Sequence, residues 1–439
     1  MKNLLNIFLF IIPKILTNSF ISLPFSVNYL KEKPDSSNII KHLTKKDILV
    51  EIKLGSKKES FYLSLNLKSY ATVIASSQNK NINSKTFNEL DSKTFSYLNE
   101  TKIKPLVDVY NEALLSQDKL IINNIEISKY NFILSVNQTS NNSGTIGLKF
   151  ERDCIESKLV NSTNFINQLK NNKIIGNGNF YINFENENKG NFVLGKNLYN
   201  NDNNNNKLIS VKSFSDKNGA FRWSFCFEQV KINNKSLYVK NKEECGEISS
   251  DFGLIVGSTD FYYYINKKYF ENKKECEFKK EGIYYYFICD KNTKFDDDNK
   301  FNFEIGLFEN KEIKFNFDKN ELFYNFNDKI IFKILFMEDN NFWRFGQMFL
   351  HKYNLMFNND EHTIGFYQKE NKFIQPLNYF KFLSYILIAI IICMILFYFY
   401  LGKEKFNFNK ENEINEKINY IKMNNDEDDF IELKTKSLK

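Results

Sequence analysis

The segment that most constrains this chain lies near its C-terminus, where Phe382–Leu401 contains no charged side chain. About 20 apolar residues allow a helix to cross a bilayer, so we expect a single transmembrane helix here. Lys403 and Lys405 follow it, and cytoplasmic flanks are typically rich in Lys and Arg. We therefore expect a type I single-pass membrane protein whose main domain is lumenal or extracellular. Residues 371–381 would form a stalk and residues 402–439 a disordered cytoplasmic tail.

Residues 1–22 have the pattern of a secretory signal peptide. Lys2 supplies a positive charge, and Leu4–Ile12 forms an apolar core that is too short to span a bilayer. Lys14 and the lack of a small-residue cleavage motif leave a retained N-terminal anchor as the alternative. Residues 23–44 are then predicted to be an N-terminal extension before the first strand.

Two pairs of cysteines in the main domain are spaced for disulfides, which an oxidising compartment permits. Cys226 and Cys245 flank an Asn-Asn turn signal, and Cys276 and Cys289 flank a Glu-Gly turn signal. Each pair is therefore placed to cross a β-hairpin. Cys154 has no such partner and is predicted to be a buried thiol. Sequons for glycosylation occur at Asn99, Asn137, Asn141, Asn161 and Asn234.

The charged residues do not indicate nucleic-acid or metal binding. The net charge of +7 arises from 60 basic and 53 acidic residues, and the lysines are spread along the chain rather than concentrated. The three histidines are not paired with cysteines at ligand spacing. We expect no nucleic-acid partner, no metal and no cofactor.

Short apolar or alternating runs, separated by turn residues, predict a mainly β main domain. Tyr, Phe, Ile and Val dominate these runs and fit a half-buried pleated surface. The same pattern in both halves predicts two lobes, residues 45–205 and 206–370, with short helices at Asn164–Asn171 and Gly346–Tyr353. The predicted strands are Ile48–Leu54, Ser60–Leu65, Thr72–Ala75, Leu120–Ile127, Tyr130–Val136, Asn179–Phe184, Asn191–Leu194, Phe221–Val230, Lys235–Val239, Ile283–Cys289, Lys300–Ile305, Glu312–Phe317 and Glu321–Phe326.

Eight segments, in order and with the right spacing, resemble the pepsin-like aspartic protease family. The most specific, FWRFGQMFLHKYNLMFNNDEHTIGFYQ at Phe342–Gln368, is similar to the family pattern WxLGDxFLRxYYxVFDxxxxxIGFA. SKTFNELDSKTF at Ser84–Phe95 is similar to the family's xxFNPxxSxTF. The resemblance implies the bilobal acid-protease fold. The other segments are ILVEIKLGSKKESFYLSLNL from Ile48, LLSQDKLIINNIEI from Leu114, GTIGLKF from Gly144, NFINQLKNNKIIGNGNFYINFENENKGNFVLG from Asn164, WSFCFEQVKINNKSL from Trp223 and LIVGSTDFYYYI from Leu254.

The family's chemistry requires two carboxylates, one from an Asp-Thr-Gly turn in each lobe. They share one proton, because two adjacent like charges cannot both ionise; the ionised group activates water and the protonated group polarises the scissile carbonyl. In the first half, alignment of the strand Thr72–Ala75 puts Leu67-Lys68-Ser69 at this turn. No Asp or Glu occurs from Ser60 to Asn88. The first carboxylate is therefore predicted to be absent.

The second turn has two possible alignments. Without gaps, Ser249-Ser250-Asp251 takes the place of Asp-Thr-Gly; with a two-residue deletion, Asp251-Phe252-Gly253 does. Either alignment brings at most one carboxylate to the centre. We therefore expect no catalytic residues, with Leu67 and Ser249 as the degenerate positions. The alternative is that Asp251 acts with an unusual partner, Ser69 or Lys68.

Two other positions also depart from the family pattern. Tyr110 falls where the family has its flap tyrosine, and it is the one predicted substrate-binding residue; an ordinary strand tyrosine is the alternative interpretation. Only Asn111–Ala113 separate it from the next apolar run, which predicts a hairpin too short to close over a peptide. Gln347 stands where the family has Asp.

These departures predict a membrane-anchored protein whose pepsin-like domain is catalytically inactive and acts as a binding or scaffold protein. Its interlobe groove would hold an extended peptide or protein segment by strand addition. One alternative is an active, membrane-tethered aspartic endopeptidase with a diverged site. Another is a lumenal sorting receptor with a cytosolic signal in its acidic tail. The number of carboxylates at the lobe interface distinguishes the first two.

Overall fold

The computed structural model describes most of the main domain. The described residues are 20–28, 34–79, 84–103, 110–138, 142–150, 162–195, 209–213, 222–233, 235–236, 243–295, 303–307 and 313–366. Within these residues no helix is long and apolar enough to cross a membrane. The predicted membrane segment, the predicted tail and most of the predicted signal peptide lie outside them.

The first half of the described chain is built mainly from strands, with two short α-helices. Strands β1 to β5 are Ile21–Asn28, Asp47–Leu54, Glu59–Asn66, Val73–Ala75 and Ser96–Ile103, and strands β6 to β10 are Tyr110–Ile122, Ile125–Gln138, Gly144–Gly147, Asn179–Asn186 and Lys189–Leu194. Helix α1 is Ile39–Thr44 and helix α2 is Phe165–Asn171; a single 3-10 turn lies at Glu89–Asp91.

The second half continues in the same style. Strands β11 to β18 are Ile209–Lys212, Ser224–Ile232, Lys235–Ser236, Glu244–Ile248, Ile255–Val256, Cys276–Glu281, Tyr284–Asp290 and Phe303–Leu307. Strands β19 to β25 are Lys314–Phe317, Phe323–Phe326, Lys329–Phe332, Ile334–Leu335, Trp343–Phe345, Leu355–Asn358 and Thr363–Phe366. Helices α3 (Thr259–Ile265), α4 (Lys319–Leu322) and α5 (Gln347–Lys352) are short, and a π-helical turn, Asn266–Phe270, follows α3.

Three sheets organise these strands, and the largest joins the two halves. Its order is β11-β25-β24-β9-β10-β1-β2-β3-β8-β4-β7-β6-β5, so strands from both ends of the chain pair within one sheet. A second sheet has the order β19-β18-β12-β14-β23-β15-β22, and a third is β16-β17-β21-β20. The mainly β prediction is confirmed, and strands of both predicted lobes pair within the largest sheet.

Strand β1 is an internal strand of the large sheet, in a region that the sequence analysis assigned to the end of a signal peptide and an extension. It pairs antiparallel with β10 on one side and with β2 on the other. Its residues Ile21, Leu23, Phe25 and Val27 are buried and alternate with more exposed ones. This period-2 alternation is the mark of a strand with one buried face. This alternation can be read from the sequence, but it directly follows the apolar residues assigned to a signal peptide, and it was therefore not recognised as a strand.

Local turn chemistry explains where two predicted strands were wrong. The predicted strand Leu120–Ile127 is interrupted by a hairpin turn in which Asn123 and Asn124 both have positive φ, at 46° and 65°. Asn tolerates this conformation better than other non-glycine residues. Before Phe323, Asp318 and Glu321 form a reciprocal capping box that starts α4, so the predicted strand Glu321–Phe326 begins as a helix.

Helix α1 closes one face of the third sheet. Ile39, Ile40 and Leu43 are buried in a cluster with residues of β17 and β21. At the start of the helix, the Glu281 carboxylate accepts hydrogen bonds from the backbone N–H groups of Ile40 and Lys41, at 3.0 and 2.8 Å. A carboxylate satisfies exposed N–H groups there and is favoured by the helix dipole. The predicted extension is therefore integral to the domain.

Both predicted disulfides are confirmed. Cys226 of β12 lies directly opposite Cys245 of β14, and Cys276 of β16 lies directly opposite Cys289 of β17. Each bond therefore staples two neighbouring antiparallel strands. Cys154 lies outside the described residues.

The sequons are only partly covered by the described residues. Asn99 lies in β5 and Asn137 lies in β7. Asn141, Asn161 and Asn234 lie outside the described residues. Use of all five stays a prediction.

If β1 belongs to the folded core, replacing Phe25 with Ala should lower the free energy of unfolding by about 3–5 kcal/mol, because it removes a buried ring and leaves a cavity. Phe25 is 4% exposed and packs edge-on against Phe184 with 5.0 Å between ring centroids. Chemical denaturation measures the change. Ser26→Ala, at the adjacent exposed position, is the matched control and should change little. Equal stability of the two variants would contradict the placement of β1.

Candidate functional site

Two turns with equivalent surroundings occur where β3 and β14 end. In the first half, β3 runs parallel to β8, and β8 runs antiparallel to β4. In the second half, β14 runs parallel to β23, and β23 runs antiparallel to β15. The same three-strand unit therefore occurs twice, and its register identifies equivalent residues in the two halves.

The register makes Asn66 and Ser249 equivalent. Leu65 of β3 pairs with Ile146, and Ile248 of β14 pairs with Phe345. In each half a glycine follows the paired residue, Gly147 after Ile146 and Gly346 after Phe345. The positions directly after Leu65 and Ile248 are therefore the equivalent first positions of the two turns.

The return strands support the same equivalence. Val73 of β4 pairs with Thr145, and Val256 of β15 pairs with Arg344. Both turns thus span seven residue steps, from Asn66 to Val73 and from Ser249 to Val256. Equal lengths correspond to the ungapped alignment, in which Ser249, Ser250 and Asp251 form the second turn.

The first predicted position needs a correction of one residue, from Leu67 to Asn66. Leu67 is 1% exposed and belongs to the hydrophobic core cluster, together with Leu63 and Leu65. In the register of β3 with β8, Leu67 is the second position of the turn, one residue after Asn66. The sequence alignment had no register to count from, whereas the pairing of β3 with β8 supplies one.

The two turns are joined by the buried hydroxyl of Ser250. Its Oγ donates to the carbonyl oxygen of Leu65 at 2.7 Å and accepts from the backbone N–H of Leu67 at 3.1 Å. The side-chain amide of Gln347 donates to the carbonyl oxygens of Ser250 and Lys46, at 2.7 and 2.9 Å. Buried polar groups need such partners. These bonds hold the turns face to face.

The equivalent positions hold Asn66 and Ser249, and neither is a carboxylate. Each side chain forms hydrogen bonds within its own turn. Asn66 Oδ1 accepts from the backbone N–H groups of Lys68 and Ser69, at 2.8 and 3.1 Å. Ser249 Oγ donates to Asp251 Oδ1 at 2.5 Å. Asn and Ser commonly stabilise turns in this way.

An ionic cluster occupies the junction instead; we define the central ionic cluster as Lys68, Arg222, Glu247, Asp251 and Arg344. The Lys68 ammonium lies 3.2 Å from Asp251 and 3.9 Å from Glu247, so it links the first turn to the second half. Glu247 also accepts from Arg222 Nη1 at 3.0 Å and from Arg344 Nε at 2.7 Å. Opposite charges thus meet where the two turns lie close together.

The cluster keeps both of its carboxyl groups ionised. Burial raises the pKa of Glu247, whose side chain is 4% exposed, but the three neighbouring cations lower that pKa by more. Burial likewise raises the pKa of Asp251, whereas the Lys68 ammonium and the Ser249 hydroxyl lower it by more. The pKa values of both acids therefore lie below their ordinary values, because the opposite charges outweigh desolvation.

Sequence reasoning missed three members of the cluster, although one compositional signal pointed to them. The chain has only three arginines among its 60 basic residues, and two of them, Arg222 and Arg344, bind Glu247. Arginine stays charged when buried and binds carboxylates through a rigid fork, which lysine does not. In a chain that otherwise uses lysine, an arginine therefore indicates a position where the guanidinium geometry is needed.

The predicted flap residue lies in a strand. Tyr110 begins β6, and Asn111–Ala113 continue that strand, so the prediction of a short loop after Tyr110 is wrong. β6 pairs antiparallel with β5, and the connection between them is residues 104–109, outside the described residues.

Among the described residues, one group of potential metal ligands lies within 4.8 Å of one another: Cys226, Glu243 and Cys245. The two sulfur atoms are joined in a disulfide. A cysteine binds a metal as its thiolate, so this group offers no cysteine ligand and retains only the Glu243 carboxylate.

Replacing Lys68 with Met should destabilise the fold in a pH-dependent way. The folded-state pKa of Asp251 is lowered, so the ion pair stabilises fully above the ordinary value of 3.8, and the stabilisation disappears as the pH falls through the folded value. Lys68 and Asp251 are 32% and 37% exposed, so solvent screens the pair and we expect a loss of about 1 kcal/mol at pH 7. Thermal unfolding at several pH values measures the difference.

The difference in thermal stability between the native chain and the Lys68→Met variant should become smaller below about pH 4. Lys57→Met is the matched control, since Lys57 and Asp91 form a 2.6 Å ion pair that is exposed on both sides. That variant should behave like the native chain. A stability gap for Lys68→Met that persists unchanged in strong acid would contradict an electrostatic role.

Comparison with known families agrees with the geometry. The model of the eukaryotic aspartyl protease family matches residues 48–369, which include both turns and the central ionic cluster. A comparison with curated protein sequences found no match. The family match covers more than half of the chain and confirms the resemblance noted in the sequence. The chain belongs to the eukaryotic aspartyl protease family.

Proposed function

We propose that this protein does not hydrolyse peptide bonds and that it uses its aspartic-protease domain as a membrane-anchored binding protein. The observation that carries the proposal is the pair of equivalent turn positions, which hold Asn66 and Ser249. The family's reaction needs a carboxylate at each turn, sharing one proton. An amide and a hydroxyl at these positions cannot share a proton in that way.

The one carboxylate at the turns, Asp251, directly contacts a cation, and the acid with which it interacts electrostatically, Asp47, lies outside the turns. Asp251 is paired with the Lys68 ammonium and accepts from Ser249. This environment favours its ionised form, whereas a dyad needs one protonated and one ionised group. The pairing therefore supports a structural role for Asp251.

The fallback partners of Asp251 differ in their surroundings. Ser69 Oγ donates to the carbonyl oxygen of Ala71 at 3.2 Å, within its own turn. Lys68 contacts Asp251 directly, but as a cation that neutralises it. The alternative of an active endopeptidase would have to rely on this Lys68–Asp251 pair, which makes it testable.

The binding role rests on the retained architecture. Pairing of backbone groups along a strand edge is a general way to capture an extended peptide. β5 stands at the end of the large sheet, with no described strand on its outer edge. We propose an extended segment as the partner, held in the interlobe groove that the bilobal fold of the family implies.

The membrane anchor is the uncharged segment Phe382–Leu401, which lies outside the described residues. Its length and the lysines that follow it support a single span with a cytoplasmic C-terminus. The two disulfides support an oxidising environment for the main domain, lumenal or extracellular.

Purified full-length chain, incubated with a denatured protein at acid pH, should give no cleavage that a transition-state-mimic inhibitor of aspartic proteases blocks. An active pepsin-like enzyme in parallel verifies the assay, and electrophoresis of the substrate is the readout. Inhibitor-sensitive cleavage that disappears in an Asp251→Asn variant would overturn the proposal.

The full-length chain, expressed in cells, should stay in the membrane pellet after extraction at alkaline pH. A matched chain that ends at Lys369, before the uncharged segment, should be released into the supernatant. Immunoblotting of the two fractions measures the difference. Release of both chains to the same extent would rule out the anchor.

A further inference from the structure

In the central ionic cluster, Glu247 lies at the base, and its two arginine partners reach toward solvent. The Glu247 side chain is only 4% exposed, whereas the side chains of Arg222 and Arg344 are 48% and 29% exposed. A buried carboxylate thus holds two guanidinium groups in place while leaving part of each in water. Prepositioned charged donors of this kind lose little entropy when they bind a ligand.

The charges of the cluster do not balance. Three cations share two carboxylates, which leaves one positive charge uncompensated among the cluster residues. Asp47 interacts electrostatically with Asp251 of the cluster and with Lys45, and this additional pair of opposite charges leaves the count unchanged. A single added negative charge would complete the balance.

We propose that the central ionic cluster binds a carboxylate side chain of an extended peptide through Arg222 and Lys68. A guanidinium fork matches a carboxylate in geometry, and charge-assisted bonds of this kind are the strong ones. A monoanion fits the single uncompensated charge better than a phosphate, which carries close to two negative charges at pH 7. The inference rests on the proposed function, because it assumes that the groove holds a peptide.

A randomised decapeptide library, selected on purified full-length chain, tests the inference. The selected peptides should be enriched in Asp or Glu at one fixed position. For the best peptide, changing that residue to Gln or Asn should weaken binding about tenfold, as loss of a charge-assisted hydrogen bond does.

Variants of Arg222 identify the site. Arg222→Gln should abolish the acidic preference, Arg222→Lys should keep part of it, and Arg222→Glu should shift the preference at that position to Lys or Arg. Lys57→Gln, at an exposed ion pair outside the cluster, is the control and should leave the preference unchanged. Thermal unfolding shows whether each variant is folded. The acidic peptide and its Gln or Asn form are also compared on the native chain, and that comparison does not depend on the folding of any variant.

The outcomes separate the two proposals. Enriched peptides with no acidic preference would overturn the carboxylate site but leave peptide binding in place. No enriched peptides at all would overturn peptide binding, and with it the inference that rests on it. An acidic preference that survives Arg222→Gln and Arg222→Glu unchanged would place the site elsewhere and overturn its assignment to this cluster.

Discussion

One buried hydroxyl, that of Ser250, ties together the two halves of the domain. It donates a hydrogen bond to the carbonyl oxygen of Leu65 at 2.7 Å and accepts one from the backbone N–H of Leu67 at 3.1 Å. An unsatisfied buried polar group is costly, so the opposite turn must keep its backbone in reach of this hydroxyl. The contact between the two turns thus uses the Ser250 hydroxyl and the backbone of the first turn, and the side chains of Asn66 and Ser249 take no part in these two hydrogen bonds.

At the junction of the two turns, three cations surround two carboxylates, whereas the reaction of an aspartic protease uses two adjacent carboxylates. Two adjacent carboxylates repel each other and separate their pKa values, which creates one acid and one base. Here Lys68 lowers the pKa values of both Asp251 and Glu247, and Arg344 and Arg222 lower that of Glu247 further. Removal of one partner from a buried charge pair is costly, because it leaves the other charge unpaired in a poorly solvated place. The cluster therefore favours the ionised forms of Glu247 and Asp251, which is the basis of the anion site proposed above.

The large sheet gives this junction its support. β1, β10 and β9 from the first half pair in sequence with β24, β25 and β11 from the second. Trp223 adds a further link, because its indole N–H donates to the carbonyl oxygen of Leu148 at 2.8 Å and its ring packs among Phe150, Phe180 and Phe357. Backbone pairing and aromatic packing, rather than the ionic cluster alone, hold the halves in a fixed relation.

The sequence by itself determined the family, the β class, most strand positions and both disulfides, because these depend on local signals. Alternation as in Ile48–Leu54 and turn residues between paired cysteines act over a few residues. Strand β1 was equally local in its signal but was obscured by the apolar residues before it. The first turn position could be assigned to Asn66 rather than Leu67 only by counting along the pairing of β3 with β8. The central ionic cluster needed the tertiary structure entirely, because folding alone brings Lys68, Arg222 and Arg344, far apart in the chain, to Glu247 and Asp251.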